Sequence, residues 1–379
     1  MAAKHIPLNK ARAKPGSDAP KTAGGGASRV FATGFFGLSA ALGAGFVALT
    51  YFGSPSDGNP VVTIALPPFA AAPAVSEEPP SPPPAPLPFV NTRMVEGKLV
   101  ADPALIEDSP EGPLPIIGKD GKAPMTAYAA EFDRADKKPK IAIVLARLGV
   151  SAAGTAAALT KLPPQVTFAF APFAPGVQGL IDKARGAGHE VLLQVPMEPA
   201  DYPDSDPGPH ALLVASTPEE NVTRLAWAMT RFTGYVGIGN LLGGRILTDA
   251  PSIEPVLAEA TKRGLIFFDD GVTPHSLTIP TARRVGTTVA SGTLTIDSIQ
   301  TASAIEAKLT ELEARARRDG FAIGVASPYP VSIARLADWT AGLVRRGFTL
   351  APLSGLSARP AAAARASTSS ARAAGASAR

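Results

Sequence analysis

From residue 140 onward, short apolar runs alternate with amphipathic or small-residue stretches, and the alternation assigns the elements. Residues 141–145 (IAIVL) are continuously apolar over a strand's length, as expected for a strand buried on both faces. Ser151 supplies an N-cap for a helix that runs to Leu162 and is stopped by Pro163-Pro164. Residues 166–170 predict a second strand, and a helix near 177–187 closes at Gly188. The stretch 188–209 (GHEVLLQVPMEPADYPDSDPGP) then gives a third strand at 191–195. It delivers Glu198, Asp201, Asp204 and Asp206 into a proline-rich loop. Thr217, Pro218 and Glu219-Glu220 mark the next helix start: a capping hydroxyl, proline at the first helical position, and acids in the first turn. That helix carries Val222, Leu225, Ala226 and Met229 on one face.

The pattern continues with a strand at 235–240 (YVGIGN), a glycine-rich turn at 241–245, a helix at 252–263 closed by Gly264, and a strand at 265–268 ending in Asp269-Asp270-Gly271. Weaker strands fall within 289–296, and a charged helix over 302–318 closes at Gly320. A strand at 321–326 is stopped by Ser327-Pro328-Tyr329-Pro330; a helix through Arg346 and a last strand at 348–353 follow. Strand–helix alternation throughout predicts an α/β domain with a parallel sheet. Seven or eight units favour a closed or nearly closed (β/α)7–8 barrel over an open doubly wound sheet. In either case the loops after the strands are where chemistry is expected.

Before residue 139 the pattern is different. Residues 1–29 carry Lys4, Lys10, Arg12, Lys14, Lys21 and Arg29 against Asp18 alone. Residues 30–52 hold no charge and, as a helix, reach roughly 34 Å, enough to span a bilayer. The basic flank predicts a cytoplasmic N-terminus and an inner-membrane, single-pass topology with the domain in the periplasm. The run is longer than a usual signal-peptide core, which favours an uncleaved transmembrane helix over a cleaved leader. Gly37, Ala41 and Gly45 share one face of that helix, a pattern that suits a weak dimer, although small residues are common in membrane spans. Residues 53–88 are a Pro/Ala-rich linker, 89–138 a partly ordered arm, 139–356 the folded domain, and 357–379 an Ala/Ser/Arg tail expected to be disordered.

Composition adds exclusions. With no cysteine there are no disulfides, thiolate metal sites or cysteine nucleophile. A net charge of +4, partly from the termini, gives no reason to expect a nucleic-acid partner.

Polar residues gather at the predicted strand ends: Arg147, Gln194, Glu198, Asn240, Arg245, Asp269, Asp270 and Ser327. Each alone reads as a cap or a solvated turn; together they point to a polar rim. A metal site needs clustered imidazoles and carboxylates. The domain has only His189, which precedes its strand, His210 in the proline-rich loop, and His275, the one histidine placed as a plausible ligand. Asp269 and Asp270 suit acid–base work, but adjacent strand residues point to opposite sides, so one of them is expected to be structural. The pair Gly237/Gly239 lacks the third glycine and following helix of a dinucleotide site, and there is no G-x-S-x-G elbow and no P-loop.

The sequences IAIVLARLG (141–149), PMEP…YPDSDPGPHALL (196–213), the helix beginning PEEN, Gly243-Gly244-Arg245 and RGLIFFDDG (263–271) resemble the divergent polysaccharide deacetylase family. The resemblance covers 140–356 and implies a glycoside hydrolase/deacetylase barrel and a carbohydrate partner in the cell envelope. In active deacetylases of this superfamily a metal held by Asp and His polarises an N-acetyl group while an Asp activates water. This chain departs from that pattern. Ala146 and Arg147 stand where an Asp-Asp pair is common, Leu241 stands where a histidine commonly follows Asn240, and Ala326-Ser327-Pro328 replaces a late Gly-His-Pro.

The expectation is therefore a membrane-anchored envelope protein acting in carbohydrate metabolism or glycan binding, with Gln194, Glu198, Asn240 and Arg245 as the substrate-binding residues, no cofactor and no deacetylase metal. The alternatives are a hydrolase of N-acetyl glycan using Asp269 or Asp270, and a non-enzymatic structural partner in the envelope.

Overall fold

The computed structural model describes residues 93–95 and 98–358. The expected span at 30–52, its basic flank, the linker and the C-terminal tail from residue 359 lie outside the described residues. Among the described residues no helix is long and apolar enough to cross a membrane.

The predicted arm holds the pair β1 (Arg93–Val95) and β2 (Lys98–Val100), the hairpin β3 (Ile106–Ser109) and β4 (Gly112–Pro115), and the short helix α1 (Pro124–Ala127). The domain then runs β5 (Lys140–Leu148), α2 (Ala152–Lys161), β6 (Thr167–Phe170), α3 (Val177–Gly186), β7 (Val191–Met197), α4 (Pro218–Met229), β8 (Gly237–Leu242) and α5 (Ala250–Lys262). It continues with β9 (Ile266–Asp269), α6 (Thr278–Val285), β10 (Val289–Ser291), β11 (Leu294–Thr295), α7 (Ala302–Asp319), β12 (Phe321–Ala326), α8 (Pro330–Ala341), β13 (Thr349–Leu350) and α9 (Leu353–Leu356).

Local chemistry sets these boundaries. The Ser151 hydroxyl accepts from the Gly154 amide, and Thr217 and Glu220 form a reciprocal capping box at the start of α4. Asp249 caps α5 and Thr301 caps α7, each accepting from the amide three residues on. Besides the one-turn helices α1 and α9, the latter starting at Leu353 where the last strand was expected to end, one longer helix was not anticipated. The α6 sequence TIPTARRV buries Thr278, Thr281 and Ala282 against the rest of the fold, so it shows no apolar stripe.

The sheet has the order β10-β9-β8-β7-β6-β5-β12-β11, with β13 beside the start of β5, and all its pairings are parallel. Its two ends, β10 and β11, are consecutive in the chain. Val289–Ser291 pair with β9, the chain passes Gly292 and Thr293, and Leu294–Thr295 pair with β12. One split strand thus joins the two edges and closes the curled sheet on itself. A Cβ on Gly292 would sit 2.4 Å from the Asp270 carbonyl oxygen, so the crossing requires glycine.

Alternation along β5 separates two cores. Ile141, Ile143 and Leu145 face the helix layer with Leu225, Ile253 and Leu309, whereas Ala142, Val144 and Ala146 join Leu192, Ile266, Phe268 and Val325 inside the sheet. The arm closes the strand-start end of that interior. Leu105 and Tyr128 pack into the inner cluster, and Arg263, just before β9, bonds Glu107 at 2.8 Å and the Pro115 carbonyl at 2.9 Å. The buried Glu190 carboxylate accepts from the amides of Ala130 and Ser354 and from the Thr167 hydroxyl. With one end sealed, the strand-end mouth is left for a site.

Candidate functional site at the strand-end mouth

Four strand ends meet through side chains. Gln194 on β7 is buried, and its Oε1 accepts from the backbone N–H of Arg147 on β5 at 2.5 Å. Its Nε2 donates to the carbonyl of Asn240 on β8 at 3.2 Å. Asn240, also buried, turns to the residue after β9: its Nδ2 donates to Asp270 Oδ1 at 2.7 Å and its Oδ1 accepts from the Asp270 amide at 2.9 Å. The Val272 amide also donates to Asp270 Oδ1, while Oδ2 takes no hydrogen bond among the described residues. A continuous chain, Arg147–Gln194–Asn240–Asp270, therefore crosses the mouth.

The predicted acid pair divides its work as the alternation of strand residues requires. Asp269 is buried, and its carboxylate accepts from the Gly271 amide and the Ser276 hydroxyl, fixing the turn after β9. Asp270 faces the mouth. Burial pushes its carboxyl up to about 6, against the pull of the Asn240 and Val272 donors and of the nearby Arg147 charge.

Glu198 and Arg245 belong to a neighbouring cluster. Glu198 is buried; its Oε2 accepts from the Val214 amide at 2.5 Å and its Oε1 pairs with Arg245 at 2.9 Å. Its backbone carbonyl accepts from the Arg245 amide at 3.1 Å. The two residues bind the loop after β7 to the turn after β8, and each occupies the other's charge. Farther along that loop His210 stacks on Trp227 of α4 at 3.6 Å.

Sequence reasoning missed Asp297, the second residue after β11. Its buried Oδ2 accepts from the Ser327 amide and the Ser332 hydroxyl, each at 2.7 Å, so it holds the turn after β12. Its signal was present: an acid immediately after the weak strands within 289–296.

A metal ion does not fit these residues. Among the described residues no three His, Asp or Glu side chains gather as a metal-holding group. The mouth offers one carboxylate already engaged on one oxygen, two amides whose oxygens already accept backbone N–H groups, and a guanidinium that repels a cation. His189 lies at the strand-start end, its ring stacked 3.8 Å from Phe168 and its Nδ1 bonded to the Val166 carbonyl. His275 is exposed in the turn after β9. A cavity of about 680 Å³ lies elsewhere, in the seam between Val289–Gly292 and Phe321–Ile323, and its walls are mainly apolar. Volume and polar chemistry therefore do not coincide, and the convergent donors and acceptors mark the mouth as the site.

Comparison with known proteins bears on this arrangement. A family model described as divergent polysaccharide deacetylase matches residues 143–357. YibQ, an uncharacterized protein of Escherichia coli (strain K12), is 24% identical over 172 residues, covering 45% of this chain and 53% of the relative. The chain thus spans about half the length of that relative. An uncharacterized protein of Haemophilus influenzae is 23% identical over 212 residues, 56% of this chain and 74% of the relative. The crystal structure of the uncharacterized protein ATU2773 from Agrobacterium tumefaciens C58 shares 39% identity at a TM-score of 0.63, covering 65% of this chain and 99% of that one.

Proposed function

This chain belongs to the divergent polysaccharide deacetylase family, and from that premise we propose that its barrel is a glycan-binding head without metal-dependent deacetylation. The observation that carries the reading is the hydrogen-bonded chain Arg147–Gln194–Asn240–Asp270, which leaves Asp270 Oδ2 and the Arg147 side chain open at the mouth. Sugar hydroxyls need such fixed, directional acceptors and donors, and the buried amides behind them keep the geometry preorganised. Glu198 and Arg245 act at the rim by holding the β7 loop. The uncharged run 30–52 and the linker at 53–88 support a head tethered to the inner membrane and facing the periplasm. The Gly37–Ala41–Gly45 face supports weak pairing of two such tethers.

The test uses the full-length protein in detergent on an array of envelope and other glycans. Retained glycans should bind at least about tenfold more weakly to Asp270→Ala and Gln194→Ala, each of which removes a hydrogen bond or its support. Unchanged binding by both variants would place the ligand elsewhere.

A second reading, hydrolysis of an N-acetyl glycan, is favoured by one observation: Asp270, pushed up to about 6, is poised for acid–base work near neutrality. Acetate release from chitin or peptidoglycan oligomers, abolished by Asp270→Asn, would establish it over simple binding.

A further inference from the structure

Among the described residues two that are not glycine have a left-handed backbone, Arg147 at φ 61° and Leu242 at φ 66°. Both stand at the mouth, at the ends of β5 and β8. L-residues avoid this region because Cβ crowds the following carbonyl, and such conformations persist where the surroundings over-determine them. Here the determinants are the two buried amides. Gln194 accepts from the Arg147 N–H, and Asn240 Nδ2 donates to the Leu242 carbonyl at 2.6 Å. A register irregularity between β5 and β6 at Leu145/Leu148 brackets the same residue. The bulge re-aims the side chain, as bulges beside sites do.

What is held there is a cation. Glycine would take φ 61° without strain, yet the position carries a long guanidinium that is exposed and forms no ion pair or side-chain hydrogen bond among the described residues. The acid that feels its charge is Asp270, which is bound through Oδ1 to Asn240 and keeps Oδ2 open. The two groups flank one mouth without closing on each other.

We propose that Arg147 and Asp270 form a subsite for a carboxylate-bearing sugar, the guanidinium taking the sugar carboxylate and Asp270 Oδ2 an adjacent hydroxyl. This rests on the reading of the mouth as a glycan site and specifies the class of glycan. A planar, always-charged fork matches a carboxylate in two parallel hydrogen bonds, a geometry no lysine reproduces.

The experiment titrates full-length protein in detergent by calorimetry with three probes: oligogalacturonate, its methyl ester, and glucose phosphate. Oligogalacturonate should bind about tenfold or more tightly than the ester, as expected for loss of a charge-assisted pair. Arg147→Gln should erase that preference, Arg147→Lys should restore part of it, and Arg147→Gly should erase it while leaving the melting temperature equal or higher. Equal binding of acid and ester, or a preference that survives Arg147→Gln, overturns the charged subsite and leaves the glycan reading standing. Tighter binding of glucose phosphate overturns the carboxylate assignment. If neither of the two galacturonates binds, this proposal falls. Failure of every sugar on the glycan array would remove the underlying reading as well.

Discussion

One amide, that of Asn240, grips Asp270 twice, by donating to the Oδ1 carboxylate oxygen at 2.7 Å and accepting from the backbone N–H at 2.9 Å. The end of β9 is thereby fixed to β8, and the carboxylate is oriented by a group that cannot ionise. Asn240→Ala should destabilise the domain by about 1–3 kcal/mol, because a partly buried carboxylate and an amide lose their partner. Since the lost donor lowers the Asp270 pKa, NMR titration of the variant should find that carboxyl above its value of about 6.

Two titratable groups give opposite dependences of stability on pH. His189 is depressed to about 4 by burial, so below its ordinary value of 6.5 the unfolded chain takes up a proton that the folded one refuses. Its contribution is lost as pH falls from 6.5 towards 4. Asp270 is raised to about 6 from 3.8, so the folded state holds a proton that the unfolded chain releases, and stability is lost as pH rises through that window. Asp270→Asn removes the second effect alone. Thermal melts should show the variant gaining on the wild type as pH rises from 4 to 6, then running parallel above it.

Glu198 and Arg245 form one ion pair with unequal stakes. Glu198 is 3% exposed and also holds the Val214 amide, so Glu198→Ala should cost about 1–3 kcal/mol in denaturant unfolding. The Arg245 side chain is 54% exposed, and Arg245→Ala should cost less than about 1 kcal/mol. Equal losses from the two would mean that the exposed pair, not the buried acceptor, holds the loop.

Much of this arrangement was legible in the sequence. Apolar runs ended by proline or glycine located the main strands, and Thr217 with Glu220 marked the start of α4 to the residue. Gln194, Asn240 and Asp270 were identified by standing at strand ends, and the structure brings them together. Glu198 and Arg245 stood at strand ends too, but position along a strand does not reveal that two residues satisfy each other. The α6 helix was missed because its buried face is threonine and alanine. The left-handed Arg147 was invisible because nothing local calls for it: Gln194, 47 residues away, imposes it.

Gly292 tests the closure of the sheet. A methyl group there would lie 2.4 Å from the Asp270 oxygen and 2.8 Å from its carbonyl carbon, backbone that cannot rotate away. Gly292→Ala should cost about 3 kcal/mol by denaturant unfolding. It should also shift the NMR signals of Asp270, because the crossing strand rests on that peptide.

The split strand also divides the barrel in time. Phe321–Ala326 are laddered to Lys140–Leu145 without interruption, whereas the closing segment divides its bonds, pairing with β9 over Val289–Ser291 and with β12 over Leu294–Thr295, and changes partner between Gly292 and Thr293, whose amides donate to the Asp269 and Ile323 carbonyls. Amides of the long ladder should exchange with solvent only through global unfolding, and those of residues 289–295 through a cheaper local opening. The hoop would then breathe at one place. That place adjoins the Asp270 peptide, so each parting of the seam should free one side of a residue that Asn240 still holds from the other.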